Sequence, residues 1–493
     1  MNKLKYILQK LEFLRLDERS ISLFRILIGI SILYSLIILK LPYTVQIWGE
    51  HTIIPISIMK EMNGVGSFSV FDWVRNDTFA YCWMILTILL AFLYTIGFYT
   101  RWLSFLLLFF FFNSLQAYAR YNAGFDKYTF QMLIWSCFLP LSNFFTLKEN
   151  KLKYKTPLWI SLILLTQIAC IYCATGFAKT GEAWKHGYAI KIMASDVWMN
   201  SSLADLFRNY VFIYKPLTYL TLTIELLFPF FVFIKSPKDI LRYFAVAFLL
   251  VFHFSILLIT DVGNFSYTGF AAAGLLLPAS FWEYFNIKCG INYVQTQYSK
   301  RLQYVIFSCT IFVLFTFLQK NLLFLATLQS HKNMQPTLLY KAMKTIDIPR
   351  VAENSFQDQF WKMFAPEPSN QGGWLSIEYI GEDGILYDLF SNTPISLTQN
   401  TLNFNPHGME KILLSYGRMF KYKDKWFTAI FLKNWYFYQL KTRNITPEKY
   451  KNYFLAEYST SVVDAGNTNT PIVKQLYSST AVEDLKIEIP KKE

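Results

Sequence analysis

The chain is 493 residues long, 54% hydrophobic, 19% aromatic and only 16% charged, with a formal net charge of +14. Soluble domains carry about 25% charged and about 45–50% apolar residues, so this composition excludes an ordinary water-soluble fold and points to a membrane protein. Residues 1–327 hold 28 Lys/Arg against 16 Asp/Glu, and residues 328–493 hold 19 against 17; the basic surplus sits with the apolar half, which argues against nucleic-acid binding, where a basic stripe marks a soluble domain.

From the N-terminus, Lys3, Lys5, Lys10, Arg15 and Arg19 alternate with Glu12, Asp17 and Glu18. That is not a cleavable signal pattern, so the first apolar run is expected to stay in the protein. About 20 apolar residues cross roughly 30 Å of hydrocarbon. Runs of this kind fall near 21–41, 78–100, 102–121, 128–146, 157–179, 215–235, 239–260, 263–285 and 301–327, giving nine expected crossings. Lys and Arg collect in residues 1–20, at Lys148, Lys151, Lys153 and Lys155, at Lys235, Lys238 and Arg242, and at Lys288, Lys300 and Arg301. All four sets fall on one side of a nine-helix arrangement, and the positive side is cytoplasmic. The N-terminus is therefore expected inside the cell inner (plasma) membrane, with residues 328–493 outside.

After residue 328 the apolar runs shorten and turn signals appear at Glu382-Asp383-Gly384, Asn403-Phe404-Asn405-Pro406 and Ala465-Gly466-Asn467. Alternation over Trp374–Ile380 predicts a strand, followed by a turn and a second strand from Gly384 to Phe390. Residues 407–460 suit helices, and the last thirty residues an extended tail. The expected fold class is a membrane all-α helical bundle of about nine transmembrane helices over residues 1–327. A small α+β soluble domain over 328–493 follows on the extracytoplasmic side. None of the six cysteines, Cys82, Cys137, Cys170, Cys173, Cys289 and Cys309, lies in that domain, so no disulfide framework supports it. Cys170 and Cys173 form a C-x-x-C inside a membrane helix, where packing is favoured over redox or metal chemistry.

Ionisable groups at membrane depth are costly and mark function or pairing. The candidates are Arg25, Asp126, Lys179, Glu225, His253 and Asp261. Asp126, Lys179, His253 and Asp261 fall toward the outer leaflet, where one pocket is expected to hold them. The plainer readings are that Arg25 and Lys179 snorkel to the headgroups, that Asp261 is a loop residue, that His253 is a satisfied bundle histidine, and that Glu225 is protonated or paired. Lys185 and His186 beside Trp184 read as a solvated helix face. The five scattered histidines offer no metal-ligand spacing, so no metal is expected.

Several segments carry a resemblance: Phe24-Arg25-Ile26-Leu27-Ile28-Gly29, Asn122-Ala123-Gly124-Phe125-Asp126, Gly176–Trp184 with Gly187, Glu225 with Pro229, His253, and Asn264-Phe265-Ser266-Tyr267. Further on come Trp361-Lys362-Met363-Phe364-Ala365-Pro366-Glu367-Pro368, Trp374, Asp383-Gly384 and Asp388. Together they resemble the HTTM family, the horizontally transferred transmembrane domain proteins, which include vitamin K-dependent gamma-glutamyl carboxylase and many bacterial relatives. The resemblance implies an enzyme in which Lys179 is the general base toward a reduced quinone, with His253 and Asp126 orienting groups or relaying protons. It places Asn122, Trp184, Glu225 and Asp261 in the substrate pocket, and makes Arg25, Trp361, Phe364, Pro366 and Pro368 structural motif residues. A lysine at a half-desolvated helix end is able to present a free amine, and a membrane-dissolved quinol reaches it laterally. A histidine of the carboxylase near Asn122–Lys127 has no counterpart here, and its recognition of a glutamate-bearing propeptide does not map onto the shorter outer domain, so protein carboxylation is not inherited. The alternative is a non-enzymatic membrane protein that handles, exports or gives immunity to a secreted peptide or lipoprotein. A transporter is weaker, since neither an internal repeat nor paired Gly/Pro-broken helices appear.

Overall fold

The computed structural model describes residues 6, 9–50, 52–53, 68–118, 124–147, 153–195, 211–287, 293–294, 303–315, 318, 363–368, 371–389, 392–394, 425–461 and 472–478. Helix α1 (Glu18–Tyr34) starts at Asp17, whose carboxylate accepts from the Arg19 N–H, and runs into a π-helical turn at Ser35–Lys40. A short helix, Thr44–Trp48, follows. Then come α2 (Asp77–Thr95), α3 (Thr100–Gln116), α4 (Gly124–Ser136), α5 (Leu158–Ala178), α6 (Val211–Phe233), α7 (Ile240–Ile259), α8 (Phe265–Leu275) and α9 (Gln303–Phe315).

Five spans are long and apolar enough to cross a membrane: Glu12–Trp48, Asp77–Thr95, Leu158–Ala178, Phe212–Phe233 and Pro237–Ile259. Four of the nine expected crossings hold shorter helices among the described residues, α4 of 13 residues and α8 of 11 being the most abbreviated after α3 and α9 are set aside. The physical reason lies in their surroundings. Both α4 and α8 are buried along almost every side; α4 packs on α1, α3 and α8, and α8 on α1, α4 and α7. Over the described residues their sides are therefore covered by neighbouring helices, and neither stands as a lone apolar span. The longer helices leave apolar side chains exposed, as a bilayer-facing surface does: Ile85, Leu89 and Phe92 of α2, and Leu250, Val251 and Phe254 of α7.

One end of the bundle is tied by polar contacts. Glu18 Oε1 accepts from the Thr156 N–H at 3.1 Å, Ser20 Oγ donates to the Leu277 carbonyl at 2.7 Å, and Ser280 Oγ donates to Asp239 at 2.8 Å. Residues 15–25, 141–147, 153–156, 239–243 and 277–287 therefore meet at this end. Lys153–Tyr154 pairs in parallel with Tyr293–Val294 at the same end.

Beyond residue 363 a four-stranded antiparallel sheet forms from β1 (Gln371–Ile380), β2 (Leu386–Asp388), β3 (Tyr453–Ser461) and β4 (Ile472–Ser478), in the order β2-β1-β3-β4. The β1–β2 connection turns at Gly384 (φ 77°), and Asp383 closes it by accepting from the Ile385 N–H at 3.0 Å and the Tyr387 hydroxyl at 2.7 Å. Helix α10 (Lys425–Thr442) buries Trp435, Tyr436 and Leu440 in one core with Ile377 and Leu455. The expectation of helix throughout 407–460 is corrected at 453–461, which is β3. Nine residues of that segment pair with β1 from Gln371 to Tyr379, and cross-strand pairing outweighs the local pattern. Residues 407–424 lie outside the described residues. Helix α10 also touches the bundle: Gln46 Nε2 donates to the Tyr438 hydroxyl at 2.6 Å, and Asn434 Nδ2 to the Ile53 carbonyl at 2.8 Å.

Candidate functional site

Helices α5 and α6 pack together, and α5 ends at Ala178, which leaves Lys179 at the helix terminus facing α6. Its Nζ donates to both carboxylate oxygens of Glu225, at 2.5 and 2.6 Å, with the two side chains 3% and 1% exposed. Glu225 is thus paired, and Lys179 does not snorkel. The same ammonium stands 4.5 Å from the Trp184 ring centroid, a desolvated cation–π contact. Trp184 is fixed in turn, since its Nε1 donates to the Phe364 carbonyl at 2.9 Å.

That bond is one of three that clamp the segment Met363–Pro368 over the loop after α5. The Gly181 N–H donates to the Pro366 carbonyl at 3.0 Å, and the Ala183 N–H to Glu367 Oε1 at 3.2 Å. Glycine is needed at 181 because a Cβ there would lie 1.8 Å from Glu367 Cγ. The Gly176–Trp184 and Met363–Pro368 motifs, 180 residues apart for the Trp184–Phe364 pair, are thereby one structural unit. At the rim, exposed Glu182 receives hydrogen bonds from Lys185 and His186; the Lys185 contact is the main cause holding its carboxyl below the usual range.

Beneath the clamp lies a cavity of about 60 Å³, with Lys179, Glu225 and Trp184 on its floor and Phe252, Met363 and Phe364 among its walls. Its remaining lining is chiefly apolar, with Ile190, Ile256 and Ile259 beside Thr221 and Thr260. An apolar lining around one convergent ionic pair is the composition of a small-molecule site, on a cavity smaller than such sites usually have. The short Nζ–Oε1 distance lets a proton pass between lysine and glutamate without solvent, giving either an ion pair or a neutral amine facing an acid.

The other ionisable candidates are distributed differently from the single pocket that the sequence suggests. Asp126 forms its own fully buried pair with Lys40, Nζ to Oδ1 at 2.5 Å, and Lys40 lies 4.7 Å from the Phe111 ring centroid. His253 is fully buried, and its Nε2 shares a proton with the Tyr172 hydroxyl at 2.8 Å. Its neighbour Phe252 lines the cavity; His253 does not. The imidazole packs on Gly269, where a Cβ would stand 2.2 Å from Nε2. Asp261 is half-buried in the turn between α7 and α8, within electrostatic range of Tyr34. The structure therefore makes three buried polar centres where one was expected, since a buried ionisable group needs a local partner and each finds one beside it.

Arg25 is also not a snorkelling residue. It is fully buried, and its guanidinium donates to the carbonyls of Leu141 at 2.8 Å, Phe144 at 3.4 Å and Phe145, holding the chain that follows α4. Asn264 donates to the Ser31 hydroxyl at 2.9 Å and the Thr129 hydroxyl at 3.0 Å, joining α1, α4 and the start of α8. Phe364 and Pro366 belong to the clamp, and Pro368 is buried behind it. Asn122 and Trp361 lie outside the described residues. Cys170 and Cys173 are free thiols, half-buried in α5.

Two residues of these centres escaped the sequence reading. Lys40 ends the first apolar run and looks like an interfacial anchor; the signal was its equal depth with Asp126. Tyr172 is hidden among aromatic neighbours, although it stands seven residues before Lys179 on one face of α5.

A model of the HTTM domain matches residues 13–282, more than half of the chain, and the chain belongs to the HTTM family. No curated protein matches it, and no solved structure does.

Proposed function

We propose that this integral membrane HTTM protein is an enzyme whose general base is Lys179, acting in the cavity beneath the Met363–Pro368 clamp on a reduced, quinone-like lipid. The observation that carries the reading is the Lys179–Glu225 pair at the floor of an apolar cavity. A charge pair so enclosed costs desolvation energy that a purely structural role would avoid with apolar residues.

The donor set fits a flat apolar ring bearing hydroxyls. Ile190, Met193, Ile256 and Ile259 suit the ring, while Lys179 and Glu225 suit a hydroxyl. Such a group, when bound, supplies a weakly acidic hydroxyl and reducing equivalents. The chain's own part is proton handling. Glu225 takes the proton of Nζ, the freed amine accepts one from the cavity, and Trp184 holds Nζ in place during the exchange. Met363 and Phe364 keep water from the outer mouth. A ligand dissolved in the bilayer then enters between α6 and α7, past Thr221 and Ser255.

The topology belongs to the same proposal: nine crossings over residues 1–327, the N-terminus cytoplasmic, and residues 328–493 as an extracytoplasmic domain. What supports it is the collection of Lys and Arg, along the sequence, between alternate apolar runs. Substitution Lys179→Arg tests the chemistry, because arginine keeps the charge and the pairing but gives no free amine. In reconstituted protein supplied with a reduced naphthoquinone and with dioxygen as the oxidant, quinol oxidation is expected to fall at least 100-fold with folding intact; an unchanged rate refutes the proposal. The alternative, handling of a secreted peptide by the C-terminal sheet, instead expects peptide binding to be indifferent to Lys179→Arg.

A further inference from the structure

The cavity over Lys179 is too small for the ring its lining suits: it holds about 60 Å³, whereas small-molecule pockets begin near roughly 300 Å³. A wall therefore has to move when the site fills. On the membrane side the walls are α6 and α7, with Thr221, Ser255 and Ile259; these helices pack on each other, and α6 packs on α5 as well. Such packing resists a local shift. The other wall is Met363 and Phe364, from the segment clamped over the loop after α5. Among the described residues three hydrogen bonds hold it to that loop, donated by Trp184 Nε1, the Gly181 N–H and the Ala183 N–H. Two of the acceptors belong to exposed residues, Pro366 and Glu367, so water replaces those bonds as soon as the segment shifts. Phe364 has φ 57°, a left-handed backbone that a bulky side chain rarely adopts. The seated segment is thus strained at a residue that lines the cavity. The third bond reaches the base: the Trp184 indole that donates to the Phe364 carbonyl at 2.9 Å also has its ring centroid 4.5 Å from Lys179 Nζ.

We infer that Met363–Pro368 is a lid that lifts off Gly181–Trp184 as one piece to make room for a ligand, and that Trp184 is the latch joining the lid to Lys179. The inference rests on the reading of this cavity as a ligand site and adds how that site opens. With the lid seated, the Phe364 carbonyl fixes the edge of the indole and the indole face covers Nζ, so the base is enclosed. With the lid lifted, Nε1 has lost its acceptor, the indole is free to tilt, and Nζ faces an enlarged cavity. Room for a ring and access to the amine thus arise in one motion. All three donors lie within Gly181–Trp184, so the bonds part together. No helix has to shift, which suits a ligand that comes between α6 and α7 and displaces only the wall it meets.

Hydrogen exchange of the wild-type protein in nanodiscs, resolved by NMR, tests the lid with no ligand and no variant. The Gly181 N–H, the Ala183 N–H and the Trp184 Nε1–H find their acceptors in the lid, whereas the Tyr188 N–H is bonded to the Ala183 carbonyl at 2.9 Å within the loop itself. The first three are expected to show protection factors within about tenfold of one another and at least about tenfold below that of Tyr188. A wider spread means that the bonds open separately, and a Tyr188 value closer to theirs means that the whole loop opens; either overturns the lid. The latch is tested by acetylation of Lys179 with a water-soluble reagent, read by mass spectrometry. Glu367→Ala removes the Ala183 acceptor at an exposed position, and Trp184→Phe keeps a ring and removes the Nε1 donor. Each is expected to speed modification of Lys179 about tenfold or more with Tyr188 protection retained, and wild-type rates in both overturn the link to the base. Neither measurement involves quinol or turnover. Unchanged quinol oxidation in Lys179→Arg therefore sinks the enzyme reading separately, and the lid's motion is judged on exchange alone.

Discussion

Substitution Lys179→Met strands Glu225 in an enclosed site, and the size of the loss follows from the geometry. At 2.5 Å and 1–3% exposure, the attraction is about 7 kcal/mol for an effective dielectric of about 20. Most of it offsets the cost of bringing two charges out of water, so the pair's net contribution is small. Removing one partner leaves that cost uncompensated, and the expected destabilisation is about 3–5 kcal/mol for Lys179→Met and for Glu225→Leu alike. The double variant Lys179→Met/Glu225→Leu removes both charges at once and is expected within about 1 kcal/mol of wild type, or more stable. The coupling energy of the cycle is then about 5 kcal/mol or more. Reversible unfolding in mixed micelles, followed by tryptophan fluorescence, measures all four proteins. A double variant whose loss equals the sum of the single losses refutes the reasoning, since it means the charges were independently solvated.

The same logic applies to Lys40 and Asp126, both 0% exposed: Lys40→Met is expected to cost about 3–5 kcal/mol and Lys40→Met/Asp126→Leu to recover most of it in the same unfolding assay. Gly269→Ala drives a Cβ to 2.2 Å from the His253 ring and is expected to lose about 1–3 kcal/mol through overpacking; adding His253→Ala should relieve part of that loss, and no relief would show that the collision lies elsewhere. Gly181→Ala, 1.8 Å from Glu367 Cγ, is expected to displace the Met363–Pro368 clamp. Faster limited proteolysis between the bundle and the C-terminal sheet checks this, with Glu367→Ala in the same chain restoring protection.

Much of this arrangement was legible because apolar length and basic clustering are one-dimensional signals. The helices α1, α2, α5, α6 and α7 fall where the sequence placed membrane runs, and β1 falls on the alternation at Trp374–Ile380. What could not be read was depth inside the bundle. Helices α4 and α8 look like parts of full crossings because their flanks, 137–146 and 276–285, are apolar too, yet 137–146 forms turns held by Arg25, and 276–285 breaks at Leu276–Pro278, where Ser20 holds Leu277, before the short helix Ala279–Tyr284. Lys179 and Glu225 were both singled out, but their pairing depends on how α5 meets α6, and no spacing along the chain encodes it. Asp126 and His253 were assigned to the same pocket on depth alone. Depth puts residues at one level and leaves open which side of a helix they occupy; Lys40 and Tyr172 claimed them from other faces. The β3 segment was misread as helix for a related reason, because its partner β1 lies more than seventy residues upstream.

The enclosure of α4 and α8 has a consequence for how the chain is made. An insertion machine releases a segment into the bilayer according to that segment's own apolar length, and helices of 13 and 11 residues fall below what a lone span requires. Helix α4 leaves the ribosome after α1 and α3 and finds two of its walls waiting, but its third wall is α8, synthesised more than a hundred residues later. Helix α8 arrives last of the four and closes the assembly. The walls around α4 are thus complete only once the chain has reached α8.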